Sequence, residues 1–298
     1  MQDNKLIFQV DAFTTEPFRG NPAGVCFPGK EMPREWMQNF AAEMNLSETA
    51  FIWKDSGNWN IRYFTPSSEI PLCGHATLSS AHIMFTTGMA GRNETIIFSS
   101  LAGKLEIRLA DEWIIMNFPL YELVQNEIPE ELARYIGATP EEFHRTAHGW
   151  AFVLLGSEEE VRSLKPDFAS LKNSPWGDLI VTAPSSDPRF DFTVRCFAPA
   201  VGIDEDPVTG SAHCALAAFW NKKTGKKEFM SHQVSARGGI LKVSLRGDRV
   251  EIAGQAVTIF RGELVASWPP FPIPPGGKGF AGPVPLGGRL GRGYFPIN

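Results

Sequence analysis

The sequence predicts an α+β protein of two repeated lobes, each a strongly curved sheet around its own buried helix. Three observations carry this. A short motif recurs, Arg62-Tyr-Phe-Thr-Pro66 and Arg195-Cys-Phe-Ala-Pro199. Each copy leads through an acidic stretch to a glycine turn, Cys73-Gly-His-Ala-Thr77 in one half and Thr209-Gly-Ser-Ala-His213 in the other. Each turn opens a segment, 76–85 or 212–220, that is small and apolar nearly all round, the signature of a helix buried on every side. A strand, turn and helix found twice mark one unit used twice.

The remaining elements follow in chain order. Residues 6–10 form a short apolar run. Residues 23–27 read as a strand, 34–44 as a helix and 48–53 as a strand leading to the first motif copy. Residues 150–155, 158–171 and 178–182 take the same parts in the second half. Behind each central helix come short alternating strands with turn residues between them: 94–99, 103–109 and 113–118, then 233–236, 239–245, 249–252 and 256–260. Lys104-Leu-Glu-Ile-Arg-Leu109 alternates cleanly, one face wet and one dry. The lobes are expected at 1–120 and 121–267, with the C-terminal strand crossing over into the first. From Trp268 onward Pro and Gly crowd without periodicity, so 268–298 reads as a disordered or non-native tail.

Composition bounds the function. With 298 residues, 43% hydrophobic and 20% charged, the chain can bury a large core without disulfides or a structural metal. A net charge of −5 without a basic stripe argues against nucleic acid. No apolar run approaches the roughly 20 residues that span a bilayer. Four cysteines without a CxxC pair argue against a zinc ribbon or redox motif and fit a reducing, cytoplasmic setting. The expected partner is a small molecule.

The chemistry is expected where the two glycine turns meet. The first turn of a helix leaves backbone N–H groups unpaired and carries partial positive charge. Two such tips facing one cleft would hold a carboxylate. Gly74 and Gly210 let a ligand approach the backbone, while Cys73 and His75 in one turn, and Asp206, Thr209 and Ser211 by the other, supply reactive groups. Helix capping alone would explain Ser211 but not its neighbours. Glu48 stands at the mouth of an apolar strand, where burial is expected to raise its pKa toward neutrality. A metal site from His75, His82 and His213 is a weaker reading than packing of His82, and thiol hydrolysis by Cys73 with His75 lacks suitable geometry.

The chain resembles the phenazine biosynthesis-like (PhzF-like) family, a branch of the diaminopimelate epimerase fold, over roughly residues 5–267. The resemblance rests on Val10-Asp-Ala-Phe13 with Phe18-Arg-Gly-Asn-Pro-Ala23, on Asn45-Leu-Ser-Glu-Thr-Ala-Phe51, on the first motif copy with Pro71-Leu-Cys-Gly-His-Ala-Thr77, and on Phe197-Ala-Pro199 with Glu205-Asp-Pro-Val-Thr-Gly-Ser-Ala212. It implies two pseudo-symmetric lobes, each a mostly antiparallel, barrel-like sheet around a central buried helix, with the site between them. It also implies cofactor-free isomerisation, in which a glutamate takes a proton from one carbon of a cyclic amino-acid-like substrate and returns it to another. Carried over by motif, that glutamate is Glu48, and His75, Asp206 and Ser211 are the other catalytic positions. Asn21, Cys73, Gly74, Thr209 and Gly210 are then substrate-binding positions, no metal is expected, and a homodimer is implied. Diaminopimelate epimerases use two opposed cysteines; Cys73 takes the first place, but Pro207 aligns with the second, and Ala198-Pro199 with their substrate-binding Glu-Arg pair. Two-thiol racemisation is therefore not expected, although Cys73 stays open as a lone thiol acid or base. The competing reading is an inherited fold turned into a non-catalytic binding scaffold, which would not need Glu48, His75, Asp206 and Ser211 together.

Overall fold

The computed structural model describes residues 5–147 and 149–265; the expected tail at 268–298 lies outside the described residues. The first repeat runs β1 (Leu6–Ala12), β2 (Asn21–Phe27), α1 (Arg34–Met44), β3 (Glu48–Asp55), β4 (Asn58–Phe64), β5 (Glu69–Ile70), α2 (Gly74–Thr86), β6 (Ile96–Ser100), β7 (Gly103–Ala110), β8 (Trp113–Pro119) and β9 (Leu123–Asn126). The second runs α3 (Leu132–Ile136), β10 (Glu142–Thr146), β11 (Ala151–Leu154), α4 (Glu158–Ser163), α5 (Phe168–Lys172), β12 (Leu179–Pro184), β13 (Phe192–Ala198) and a 3-10 turn at Pro199–Val201. It ends with β14 (Ile203–Asp206), α6 (Ala212–Thr224), β15 (Glu228–Gln233), β16 (Gly239–Arg246), β17 (Arg249–Gly254) and β18 (Ala256–Glu263).

The strand pairings repeat one for one. β1–β2, β3–β4, β6–β7 and β7–β8 are antiparallel, as are β10–β11, β12–β13, β15–β16 and β16–β17. The parallel contacts β2–β3 and β4–β6 recur as β11–β12 and β13–β15. The lobes join where β8 runs antiparallel to β17. The last strand of each repeat leaves its own lobe: β9 pairs with β10, and β18 pairs with β1. Each lobe is thus completed by a strand from the other repeat.

Burial follows the residue pattern. Ten of the thirteen residues of α2, from His75 to Phe85, are buried, and α6 buries eight of its thirteen, so both helices sit inside their sheets rather than on them. The outer faces are covered by smaller layers. Trp36, Met37 and Ala41 of α1 pack on Phe51 and Phe64, while Leu132, Ile136, Val161 and Leu171 from α3–α5 cover the second lobe around Phe143 and Phe197. The Arg of each motif copy clamps a glutamate on the short neighbouring strand, Arg62 Nε to Glu69 Oε1 at 2.6 Å and Arg195 Nε to Glu205 Oε1 at 2.7 Å. Among the described residues no helix is long and apolar enough to cross a membrane.

Three local expectations are corrected. The helix expected over 158–171 is two short helices, because Pro166 disfavours helical backbone at Lys165; the first helix ends at Leu164, which sits at ψ 132°. The strand expected at 233–236 lies at Glu228–Gln233, and residues 235–238 instead form a turn closed by Ser235 on the Gly238 amide. The short strands β9 and β10 and the helix α3 have no counterpart among the sequence expectations, since each is too brief for periodicity to register.

Candidate active site

The tips of α2 and α6 line one cavity of about 180 Å³ between the lobes. Its wall includes Glu48, Cys73, Gly74, His75, Asp206, Thr209, Gly210 and Ser211, so the structure brings eight of the nine expected site residues to one place. Neither turn glycine has a positive φ. A Cβ at Gly74 would meet nothing nearer than 3.9 Å, and one at Gly210 nothing nearer than 3.4 Å. The local fold would admit a side chain at both, which leaves close approach of a ligand as the physical use of glycine there.

Glu48 opens β3, and its Oε2 lies 3.1 Å from His75 Nε2, with the two side chains only 13% and 9% exposed. The other ring nitrogen, Nδ1, lies 3.5 Å from Cys73 Sγ. Burial pushes the Glu48 carboxyl up, but the neighbouring His75 charge and hydrogen bonds from His75, Ser47 and Cys73 outweigh it, leaving the group below the usual carboxylate range. This corrects the expected rise toward neutrality: the sequence placed Glu48 at an apolar strand mouth but gave no sign that His75 would stand against it. Burial lowers the proton affinity of His75, while Cys73 and the Glu48 carboxylate raise it, for a net rise well above the ordinary value. Burial pushes the Cys73 thiol up, so it is protonated at neutral pH and Glu48 is the anion that His75 meets. Both directions favour a carboxylate on Glu48 beside a protonated His75.

The opposite wall is built differently. Asp206 Oδ1 accepts from Asn21 Nδ2 at 2.8 Å, and its Oδ2 accepts from the Thr209 hydroxyl at 2.6 Å. Burial holds the Asp206 carboxyl up at about 6 against the pull of His75 and these hydrogen bonds. Asn21 is wholly buried, does not line the cavity and also donates to the Val208 carbonyl at 2.9 Å. Against the expected substrate contact, the Asn21 amide is turned to Asp206 and Val208 across the lobe boundary and not into the cavity. Thr209 lines the cavity, but its hydroxyl is directed to Asp206. Ser211 makes no capping hydrogen bond, so plain helix capping does not account for it.

The histidine readings separate here. His213 is wholly buried; its Nδ1–H donates to the Thr209 carbonyl at 2.9 Å and its Nε2 accepts from the Ser231 hydroxyl at 2.8 Å. Burial pulls its pKa down to about 4, so it is a neutral structural group. His82 points to Thr258 and lines a separate cleft. A shared metal centre with His75 is thereby excluded by geometry. Glu48, Cys73 and His75 themselves offer three ligand atoms within 4.8 Å of one another, so this is where a metal ion could be held.

Comparison with known proteins defines the class first. A bacterial relative that is 43% identical over 260 residues, covering 87% of this chain and 98% of its own, is an uncharacterized isomerase of Halalkalibacterium halodurans. The phenazine biosynthesis-like domain-containing protein of Homo sapiens is 39% identical over 293 residues, covering 87% of this chain and 99% of its own. A solved PhzF-family phenazine biosynthesis protein from Enterococcus faecalis superposes with a TM-score of 0.84 at 38% identity, over 88% of this chain and all of that one. Fold and relatives together make this an isomerase. The phenazine biosynthesis-like (PhzC–PhzF) family model matches residues 10–262, and the chain belongs to that family.

Proposed function

We propose that the protein is a cofactor-independent isomerase that moves a carbon-bound proton by general acid–base catalysis on a small cyclic amino-acid-like or carboxylate substrate held between the lobes. The observation that carries this reading is the Glu48–His75 pair, a carboxylate and an imidazole 3.1 Å apart on the wall of the interlobe cavity. Glu48 takes the proton from carbon, and the C–H electron pair moves into the adjacent π system as charge on a carboxylate or carbonyl oxygen. Backbone amides at Gly74–His75 and Gly210–Ser211, at the α2 and α6 tips, stabilise that charge. Glu48, now a carboxylic acid, returns the proton to a different carbon. One proton moves, and no electrons leave the substrate.

His75 keeps Glu48 ionised between turnovers, and with Asp206 it binds polar substituents, while Ser211 hydrogen-bonds the substrate. Glu48→Gln, an isosteric change that removes the base, should lower solvent-deuterium incorporation by roughly 10²–10⁴-fold. Binding should stay within severalfold. The measurement is mass spectrometry on cyclic amino acids and dihydroaromatic carboxylates incubated in D₂O. Exchange at the wild-type rate would remove Glu48 from the reaction.

A further inference from the structure

We propose that Asp178 is the specificity residue of this site, taking the ammonium group of a zwitterionic substrate whose carboxylate rests on the two helix tips. The proposal builds on the acid–base reading above and assigns a residue that the motif comparison does not reach. Strand registers locate it. Thr49 pairs with Phe64 and Phe51 with Arg62, while Leu179 pairs with Phe197 and Val181 with Arg195. The two Arg and two Phe positions belong to the repeated motif, so Thr49 corresponds to Leu179 and Phe51 to Val181. Counting back one residue, Asp178 stands where the first repeat has Glu48.

Asp178 lines the same cavity from the second lobe. The lining residues include three carboxyls, Glu48, Asp178 and Asp206, and no lysine or arginine among the described residues. Glu48 is balanced by His75, and Asp206 is held by Asn21 and Thr209. Asp178 has neither arrangement: burial alone acts on its carboxyl, raising it to about 6. A half-buried carboxyl without a partner costs stability unless a ligand supplies one. Trp150 immediately precedes β11 as Asp178 precedes β12, and where the two strands meet the Ala151 amide donates to the Asp178 carbonyl at 2.9 Å. Trp150 also lines the cavity, and an indole face attracts a cation. Helix tips that favour an anion, with an unpaired carboxylate beside an indole across from them, complement a zwitterion rather than a plain acid.

The test uses matched pairs that differ in the amine: L-proline against tetrahydrofuran-2-carboxylate, and 1-aminocyclohexanecarboxylate against cyclohexanecarboxylate. Calorimetry and melting shifts are measured on the full chain. Wild type should bind the amine of a pair about tenfold tighter or more, and Asp178→Asn should erase that preference while leaving affinity for the amine-free partner unchanged. Asp178→Glu should keep part of the preference, which guards against an Asn variant that fails to fold. Equal binding within the pairs, a preference that survives Asp178→Asn, or a fall in kcat at constant KM would overturn the assignment and leave the Glu48 reading standing. If no member of any pair binds and none exchanges a carbon-bound proton, the acid–base reading falls, and this proposal with it.

Discussion

The two lobes share a skeleton and differ in chemistry at nearly every position that faces the cavity. The registers and the Arg clamps superpose Glu48 on Asp178, Ile70 on Asp206, Cys73 on Thr209 and His75 on Ser211. The first lobe gathers a carboxylate, an imidazole and a thiol within hydrogen-bonding reach of one another. The second spreads its polar groups, tying Asp206 to its surroundings and leaving Asp178 alone. The backbone frame is common to both halves, whereas the proposed mechanism assigns proton handling to one copy and recognition to the other.

Exchanging the turn residues should break that comparison most sharply. His75→Ser gives the first lobe the residue of the second and removes the charge that keeps Glu48 ionised, so kcat should fall by about 10²-fold or more. Ser211→Ala, the matching loss in the second lobe, should cost about tenfold or less, one hydrogen bond to substrate. Deuterium-exchange rates read both. Equal losses at the two turns would erase the division of labour.

The Arg clamps share a geometry but differ in their further partners. Arg62 and Glu69 are 19% and 9% exposed, and Arg195 and Glu205 are 12% and 20% exposed, between surface and fully buried pairs. Arg195→Met should destabilise by about 2 kcal/mol in chemical denaturation and Arg62→Met by less, since Glu69 keeps Arg34 whereas the Val161 and Leu164 carbonyls lose Arg195. Equal losses would mean that these further partners carry no weight.

A pH-dependent effect should come from Asp206. Its folded pKa, about 6, exceeds the ordinary value of 3.8, so its contribution to stability is fully present below pH 3.8 and is lost as pH rises through 6. Asp206→Asn cannot titrate there. The melting temperature of the variant relative to wild type should therefore climb across pH 4–7, by roughly 5–10 °C. A gap that stays flat would place Asp206 in water.

How much of this was legible in the sequence depends on length scale. Features written in contiguous residues came through: both glycine turns, both buried helices, and the strand from Glu48. Features that need two distant segments did not. Nothing near Glu48 announces that His75, on another element, will hold it ionised. Asn21 sits in a conspicuous Gly-Asn-Pro turn, yet its partner is Asp206, 185 positions away. Asp178 was within reach, because aligning the halves on their Arg-x-Phe-x-Pro copies places it opposite Glu48; the signal was a lone acid ahead of an apolar strand. The brief elements around α3 and the break at Pro166 were lost for lack of periodicity.

The crossing of β18 also sets an order of events during biosynthesis. A ribosome releases the chain from its amino end, so the first seven major strands and α2 emerge while the strand that seals them is still untranslated. That helix packs against β18, so one flank of it waits uncovered until about residue 263 is made. The later half faces no such delay, since β9 has already emerged when β10 arrives. The sheet around α2 is therefore closed last, at the end that was synthesised first.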